Sequence, residues 1–155
     1  MSRTPEELMR LALDVATSGP SLDLPIGAVI VDGSGSVIAS ARNAVFKNAD
    51  ATAHAERLAV GGLYLHTLKC EGQQMTLVAT LEPCPMCAWA IRDSGIGRVI
   101  FGAYNTQYGA AGSVYDLLRD KSSGRSVEVM GGVLEEQCQK LICDAFKNIR
   151  NNKDG

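Results

Sequence analysis

The sequence lacks the features that mark exported, membrane-spanning or disulfide-stabilised proteins. Its 155 residues contain no apolar run near the roughly 18 residues that a transmembrane helix needs, and its first residues form no apolar signal-peptide core. The five cysteines are an odd number, which argues against a disulfide framework in a chain without an export signal. We therefore expect a soluble cytoplasmic protein in which a close cysteine pair binds metal.

A strong charge of one sign is also missing. The net charge is -2 and the pI is ≈ 5.7, so the overall balance does not indicate a large phosphate-binding surface. From residue 140 onward, however, two acids accompany four bases, which are Lys140, Lys147, Arg150 and Lys153. This basic tail could contact a polyanion such as RNA, or it could be the solvated face of a fraying helix.

The local patterns begin with a helix and a hairpin. Apolar residues at 8, 11, 12 and 15 predict an amphipathic first helix that ends near 18–20, with Thr4 as N-cap, Pro5 in its first turn and Glu7 completing a capping box. Two β-branched runs, 26–32 and 37–41, flank a glycine-containing turn and predict a β-hairpin.

The remainder of the chain alternates between strands and helices. A helix is expected over 53–60, stopped or weakened by the glycine pair at 61–62. Three strand and helix pairs should follow, at 75–80 with 86–92, 99–102 with 114–118, and 127–130 with 135–149. Crossover helices make the later strands parallel. The expected fold is an α/β three-layer sandwich with a mixed five-stranded sheet, forming one domain over 1–155 with a basic C-terminal helix or tail from about 135.

Two short motifs carry the chemistry. His54 begins a His-Ala-Glu triplet, and Cys84 and Cys87 lie in a Pro-Cys-Pro-Met-Cys segment. The cysteine spacing and Pro85 predict two sulfurs on one side of a helix start, where the helix dipole favours thiolates. Two thiolates and one imidazole leave a coordination position open for water, as catalytic zinc sites do. His66 is a weak alternative ligand because no acid follows two residues later.

The triplet also supplies an acid. A His-x-Glu with a Pro-Cys-x-x-Cys is the signature of zinc-dependent nucleobase deaminases, in which zinc makes hydroxide available at neutral pH. Glu56 is the candidate general acid and base, moving a proton from water to the ring and the departing amine. Glu82 is a second carboxylate, for which we expect a supporting role at most. Cys70, Cys138 and Cys143 are expected to pack as small apolar side chains.

The chain resembles the cytidine deaminase superfamily, and more closely its bacterial tRNA adenosine deaminase branch. The resemblance rests on Thr-Ala-His-Ala-Glu at 52–56, Thr-Leu-Glu-Pro-Cys-Pro-Met-Cys-Ala at 80–88, Ile-Gly-Arg-Val-Ile-Phe-Gly-Ala at 96–103 and Gly-Ala-Ala-Gly-Ser at 109–113. It implies a homodimer that acts on the tRNA anticodon loop. It also implies substrate contacts at Asn43, Ala55, Ile26, Leu81 and Asn105, with Asn43 hydrogen bonding to a flipped base between apolar walls.

Several positions depart from the branch pattern. Asn105 stands where an Asp is usual, Ala51 replaces a Pro, Trp89 replaces a small residue, and 124–126 reads Gly-Arg-Ser rather than Asn-His-Arg. Deamination of free bases or nucleosides such as guanine, cytosine or cytidine is therefore an alternative, and single-stranded DNA is a further one. From the residues alone, Asn43 could be a turn residue, and the protein could be a non-enzymatic, zinc-stabilised RNA-binding module.

Overall fold

The computed structural model describes residues 2–64, 74–122, 124 and 126–153. Within these ranges the chain forms five helices and five strands, in the order α1 (Pro5–Ala16), β1 (Gly27–Val31), β2 (Val37–Arg42), α2 (Val45–Asn48), α3 (Ala55–Leu63), β3 (Thr76–Leu81), α4 (Pro85–Asp93), β4 (Arg98–Ala103), β5 (Glu128–Met130) and α5 (Glu135–Lys153). None of these helices has the length and apolarity of a membrane span.

The sheet is mixed, as the sequence predicted. Its strand order is β2-β1-β3-β4-β5, with β1 antiparallel to both of its neighbours and β3, β4 and β5 parallel. Helices α3 and α4 cover one face over a core that includes Leu63 and Ile91. Helices α1 and α5 cover the other face over Met9 and Cys138. The α/β/α sandwich is therefore confirmed.

The strand directions bring distant parts of the chain to one edge of the sheet. The parallel strands β3 and β4 both end there, so Leu81 and the segment after Ala103 lie at this edge. Strand β1 runs the other way and begins there, while β2 ends there, where the Asn43 N–H donates to the Ile26 carbonyl at 2.9 Å. Polar side chains that follow these strand ends are placed around one crevice.

The first helix and its cap follow the sequence closely. Thr4 caps α1, its hydroxyl accepting from the Glu7 N–H while the Glu7 carboxylate accepts from the Thr4 N–H, and Pro5 occupies the first turn. Gly27 lies directly beneath α1, since a Cβ there would be 2.3 Å from the Ala12 carbonyl oxygen. Close contact between helix and sheet therefore depends on glycine at this position.

One local prediction is wrong, and one helix ends later than expected. Residues 114–118 form turns and an isolated bridge rather than a helix, because the Gly109 carbonyl accepts from Val114 and Tyr115, and the Arg92 side chain binds the carbonyls of residues 117 and 118. The glycine pair at 61–62 does not stop α3, which continues to Leu63. Leu63 is fully buried, and its burial outweighs the roughly 1 kcal/mol that each helical glycine costs.

The cysteines outside the motif separate into different environments. Cys138 is buried against Gly102 on the inner face of α5, as expected of a packing residue. Cys143 is exposed, so the prediction that it packs in the interior is wrong. It lies five residues after Cys138 on the same helix, which rotates its side chain about 140° away from the inner face. The expectations for Cys70 and His66 fall outside the described residues.

Candidate active site

His54 is placed by a turn that is stabilised before α3 begins. The Asp50 carboxylate accepts from the Thr52 N–H at 2.8 Å and from its hydroxyl at 2.7 Å, and it pairs with Arg57 at 3.3 Å. These hydrogen bonds lower the pKa of the exposed Asp50 carboxyl below its usual value. His54 is the extended N-cap residue of α3, so its ring projects from the amino end of the helix.

The two cysteines occupy the start of α4 in the same manner. Cys84 is the N-cap residue, Pro85 begins the helix and Cys87 lies within its first turn. Neither His54 nor Cys84 uses its side chain to cap its own helix. Both side chains are therefore free to point into the space where the amino ends of α3 and α4 meet, a region of positive potential that favours thiolates.

The distances among these side chains match a tetrahedral zinc site. His54 Nδ1 lies 3.5 Å from Cys84 Sγ and 3.6 Å from Cys87 Sγ. Zinc bonds of ~2.3 Å to sulfur and ~2.0 Å to nitrogen at the tetrahedral angle would separate these atoms by roughly 3.5 Å. One ring nitrogen makes one hydrogen bond with one sulfur. Because His54 Nδ1 is almost equally far from the Cys84 and Cys87 sulfurs, the arrangement favours three ligands around one metal ion.

Within the described part of the chain, this is the one cluster of three side chains able to hold a metal. Hydrogen bonds from Cys87 and His54 lower the pKa of the Cys84 thiol to about 4, while the hydrogen bond with Cys84 raises the pKa of His54. A thiolate at Cys84 is the form that zinc requires, so the donor set fits the metal.

Glu56 lies beside the cluster in the first turn of α3. Its carboxylate accepts from Cys87 Sγ at 3.7 Å and the residue is 4% exposed. Burial raises the pKa of its carboxyl to about 7. A carboxyl group that exchanges protons near neutral pH, next to a metal site without being part of it, has the properties of a general acid and base.

A cavity of ≈ 530 Å³ opens in front of this cluster. Its size is typical of sites for small molecules. The sequence predicted nine residues as metal ligands, catalytic acid or substrate contacts, and eight of them line this cavity. The ninth, Cys87, is buried behind it. The eight are Ile26, Asn43, His54, Ala55, Glu56, Leu81, Cys84 and Asn105. The tertiary structure thus assembles residues from five separate parts of the chain into one pocket.

Asn43 is the least solvent-exposed amide on the pocket wall. It is 9% exposed, and its backbone N–H is bonded to Ile26. Among the described residues no partner engages its side-chain amide, which faces the cavity. An amide on the pocket wall with no partner among the described residues is available to a ligand, which favours recognition of a polar ligand over the alternative of a turn residue.

Comparison with known proteins identifies the family. Residues 2–103 match the family described as the cytidine and deoxycytidylate deaminase zinc-binding region. The chain belongs to this family. It is a zinc-binding deaminase domain, an enzyme that hydrolyses a C–N bond.

Three known proteins are similar to this deaminase over most of its length. A tRNA-specific adenosine deaminase of Haemophilus influenzae is 37% identical over 149 residues, which cover 96% of this chain and 86% of the relative. A structure from studies of A-to-I editing by tRNA deaminases at the wobble position shares 34% identity and a TM-score of 0.76, covering 87% of this chain and 98% of the other. A mutant of NE0047 in complex with 8-azaguanine has 25% identity and a TM-score of 0.76, covering 92% and 85%.

The second carboxylate of the deaminase has a structural role. Glu82 is 1% exposed and accepts hydrogen bonds from the N–H groups of Asn105 at 3.2 Å, Ala111 at 3.0 Å and Ser113 at 3.1 Å, as well as from the Ser113 hydroxyl. It thereby ties the 105–113 loop to the segment that carries Cys84. The supporting role expected for Glu82 is confirmed, and the Gly-Ala-Ala-Gly-Ser block is the partner of this carboxylate.

Two departures from the branch pattern now have local explanations. The Asn105 Oδ1 accepts from the N–H groups of Gln107 at 3.2 Å and Tyr108 at 3.0 Å, a turn that an aspartate could form equally well. Trp89 is 46% exposed on α4 with the Arg92 guanidinium 5.5 Å from its ring centroid, and it does not line the pocket. Neither change alters the metal cluster of this deaminase.

One helix at the site has no counterpart among the elements that the sequence predicted. Helix α2 lies at the mouth of the pocket, and its amino end is capped by the Asp23 carboxylate, which accepts from the N–H groups of Phe46 at 2.6 Å and Lys47 at 3.1 Å. The local N-cap residue, Ala44, supplies no side-chain bond. The cap comes from a distant loop, so no local sequence signal predicts this helix.

Proposed function

We propose that this deaminase converts adenosine at the wobble position of tRNA to inosine. The observation that carries the proposal is the composition of the pocket floor, where His54, Cys84 and Glu56 line the same cavity as the Asn43 amide, which has no partner among the described residues, and Cys87 completes the metal cluster behind them. The cluster and Glu56 suit hydrolytic deamination, and the amide suits recognition of a base edge. The names and identities of the tRNA-acting relatives support the choice of substrate.

The chemistry follows from the arrangement of the side chains. We assign His54, Cys84 and Cys87 as ligands of one zinc ion, which when bound supplies a hydroxide nucleophile at neutral pH. Glu56 takes a proton from the attacking water, delivers it to the purine ring nitrogen next to the amino-bearing carbon, and assists departure of the amino group as ammonia. Water supplies the oxygen of inosine, so atoms and charge balance.

The base is held by the walls of the pocket. Asn43 pairs with polar groups of the flipped adenine, while Ile26 and Leu81, both half-buried, enclose its apolar faces. Ala55 is buried beside Glu56 at the start of α3, where its backbone faces the base. Asn105 lines the same cavity and contacts the nucleotide from the loop that Glu82 holds in place.

Helix α5 provides a surface for the polynucleotide backbone. Lys147, Arg150 and Lys153 are exposed at i, i+3 spacing and so share one helix face. Ile149 lines the catalytic pocket and Lys153 lies one helical turn beyond it at i+4, which places this end of α5 near the pocket mouth. We propose that these three cations contact tRNA phosphates.

This contact has a matched control in the same helix. Neutralising Lys147, Arg150 and Lys153 together with glutamine should weaken stem-loop binding and flatten its salt dependence, because fewer counterions are released. Lys140→Gln removes a cation that is 2.7 Å from Asp144 and should leave the salt dependence unchanged. Substitution is preferable to truncation after Phe146, which would also remove Ile149 from the pocket. An identical salt dependence for all three proteins would show that the tail is a solvated helix end.

The substrate itself can be tested in one comparison. Purified protein is incubated in parallel with an anticodon stem-loop RNA carrying adenosine at the wobble position, with free adenosine and with guanine, cytosine and cytidine. Inosine should form in the stem-loop, and a stem-loop with guanosine at that position should release no ammonia. Ammonia from free guanine without inosine in RNA would instead establish the second candidate.

That second candidate, deamination of a free purine, has one specific observation in its favour. The NE0047 structure that shares this fold is a complex with 8-azaguanine, a purine analogue.

The proposed tRNA activity includes a proposed organisation of the protein. Residues 1–155 act as one deaminase domain, which assembles as a homodimer and works in the cytoplasm on tRNA. Light scattering of the purified protein tests the homodimer.

A further inference from the structure

The pocket has a polar floor and an apolar rim with very different exposure. Glu56 and Asn43 on the floor are 4% and 9% exposed. At the rim, three side chains that line the same cavity project into solvent: Leu22 is 86%, Phe46 is 75% and Tyr108 is 62% exposed. We expect a base that reaches the floor to be enclosed by the inner walls of the pocket, so that the rim side chains contact the part of the substrate that is attached to that base.

Phe46 is the rim side chain with the most defined support. It lies in the single-turn helix α2, which the Asp23 carboxylate holds through hydrogen bonds to the N–H groups of Phe46 and Lys47. Asp23 is 6% exposed, so a buried carboxylate orients a ring that is almost fully in solvent. A buried Asp23 carboxylate that supports an exposed Phe46 ring adds little to the hydrophobic core. An exposed aromatic ring with this support is suited to binding a partner.

The charge around this ring matches a polynucleotide. Lys47 is exposed immediately beside Phe46, and the negative charge of Asp23 is directed at backbone N–H groups rather than at the pocket. Ile149 joins the rim from α5, where the exposed Lys153 lies one helical turn beyond it at i+4. An exposed aromatic ring with adjacent cations is the arrangement by which proteins hold unpaired nucleotides, through stacking and phosphate contact.

We propose that Phe46 is a stacking platform for a nucleotide adjoining the target base, and that Asp23 is the residue that positions it. The inference rests on the proposed RNA substrate and deepens it: Phe46 contacts the polynucleotide but not the reacting base. It accounts for the selection of an RNA loop over a free base or nucleoside, which would fill the floor and leave the rim unused.

The experiment compares three substitutions by their catalytic efficiency on the anticodon stem-loop at fixed salt. Phe46→Leu keeps an apolar side chain but removes the π-face, and should lower kcat/KM on the order of ten-fold, chiefly through KM. Phe46→Trp should retain wild-type efficiency. Tyr115→Leu, which removes an aromatic ring 50% exposed outside the pocket, is the control and should have no effect.

Asp23 is tested through its coupling to Phe46. Asp23→Ala removes the two carboxylate oxygens that accept hydrogen bonds from the amino end of α2. It should lower kcat/KM on the stem-loop as Phe46→Leu does, with the zinc content unchanged. The double variant should be no worse than either single variant, because both changes remove the same contact. Additive losses would show that Asp23 acts independently of the ring and would overturn its positioning role.

The outcomes separate this inference from the proposed function. Wild-type protein that forms no inosine in the stem-loop overturns the proposed function and this inference with it. Wild-type activity on the stem-loop that Phe46→Leu leaves unchanged overturns this inference alone. An equal loss in Phe46→Leu and Phe46→Trp would also overturn it, since stacking tolerates any aromatic ring.

Discussion

Gly109 and Glu82 are in such close contact that no side chain fits between them. A Cβ at position 109 would lie 2.5 Å from the Glu82 carboxylate carbon and 2.4 Å from the Asn105 carbonyl oxygen. The same carboxylate accepts three backbone N–H groups from the 105–113 loop. This contact joins the loop that carries Asn105 to the segment that carries Cys84, so the packing of one glycine bears on the geometry of the metal site.

Gly109→Ala should therefore destabilise the protein. Forcing a methyl group against a buried carboxylate and a backbone carbonyl costs about 1 to 3 kcal/mol in free energy of unfolding. Gly61→Ala is the matched control, because Gly61 lies within α3 and no atom of the described residues lies within 4 Å of its Cβ position, and the change should stabilise the protein by roughly 0.5 to 1 kcal/mol. Denaturant unfolding of both variants measures this; an unchanged stability of Gly109→Ala would show that the loop adjusts freely.

The three-ligand cluster predicts one zinc per chain. Cys84→Ala and Cys87→Ala should each lose zinc and activity together, because two remaining ligands hold the metal poorly. Cys143→Ala changes an exposed cysteine on α5 and should retain both. Elemental analysis with parallel deamination assays gives the result. Full zinc occupancy in Cys84→Ala or Cys87→Ala would contradict the ligand assignment.

Glu56→Gln separates catalysis from metal binding. The amide keeps the size of the side chain but cannot accept and return a proton, so turnover should fall by a factor on the order of 10² to 10⁴. Zinc content and thermal stability should stay near the wild-type values, since Glu56 is placed beside the metal ligands rather than among them. If Glu56→Gln binds the stem-loop but does not turn it over, Glu56 acts in catalysis rather than in binding. If the wild-type protein itself binds RNA without turnover, the result would support a non-enzymatic module.

Asn43→Ala tests recognition of the base. Polar groups of a buried base left without a partner cost about 1 to 3 kcal/mol, which corresponds to roughly a ten- to hundred-fold loss in kcat/KM. Asn43→Asp retains the size and one acceptor but removes the N–H₂ donor, so comparison of the two variants separates the donor from the acceptor. Zinc content and unfolding should be unaffected in both. Wild-type efficiency in Asn43→Ala would assign Asn43 to the local turn.

The sequence predicted the chemistry of the site because that information is local. Cys84 and Cys87 are three residues apart, and Pro85 marks the helix start that orients them. His54 and Glu56 share a helix start in the same way. The strand and helix alternation likewise predicted the sheet, since crossover geometry leaves few alternatives. The substrate contacts proposed for Asn43, Ile26, Leu81 and Asn105 came from the family resemblance rather than from any local pattern.

Local patterns failed where distant groups satisfy the backbone. The 114–118 segment has a helix-compatible composition, yet Arg92 binds its carbonyls from another element. Helix α2 forms because Asp23, 23 positions before Phe46, caps it. In α3, burial of Leu63 overcame two glycines.

The sequence by itself determined which residues can bind zinc and carry a proton, because ligand type and helical spacing settle both. Only the tertiary structure decided that Glu82 holds the 105–113 loop and that Phe46 projects from the pocket rim. Only the tertiary structure, likewise, placed the Asn43 amide on the pocket wall without a partner among the described residues. The physical reason is that burial and hydrogen-bond satisfaction are properties of neighbours in space. Antiparallel β1 and β2 and parallel β3 and β4 bring those neighbours to one edge of the sheet, across separations that no local pattern spans.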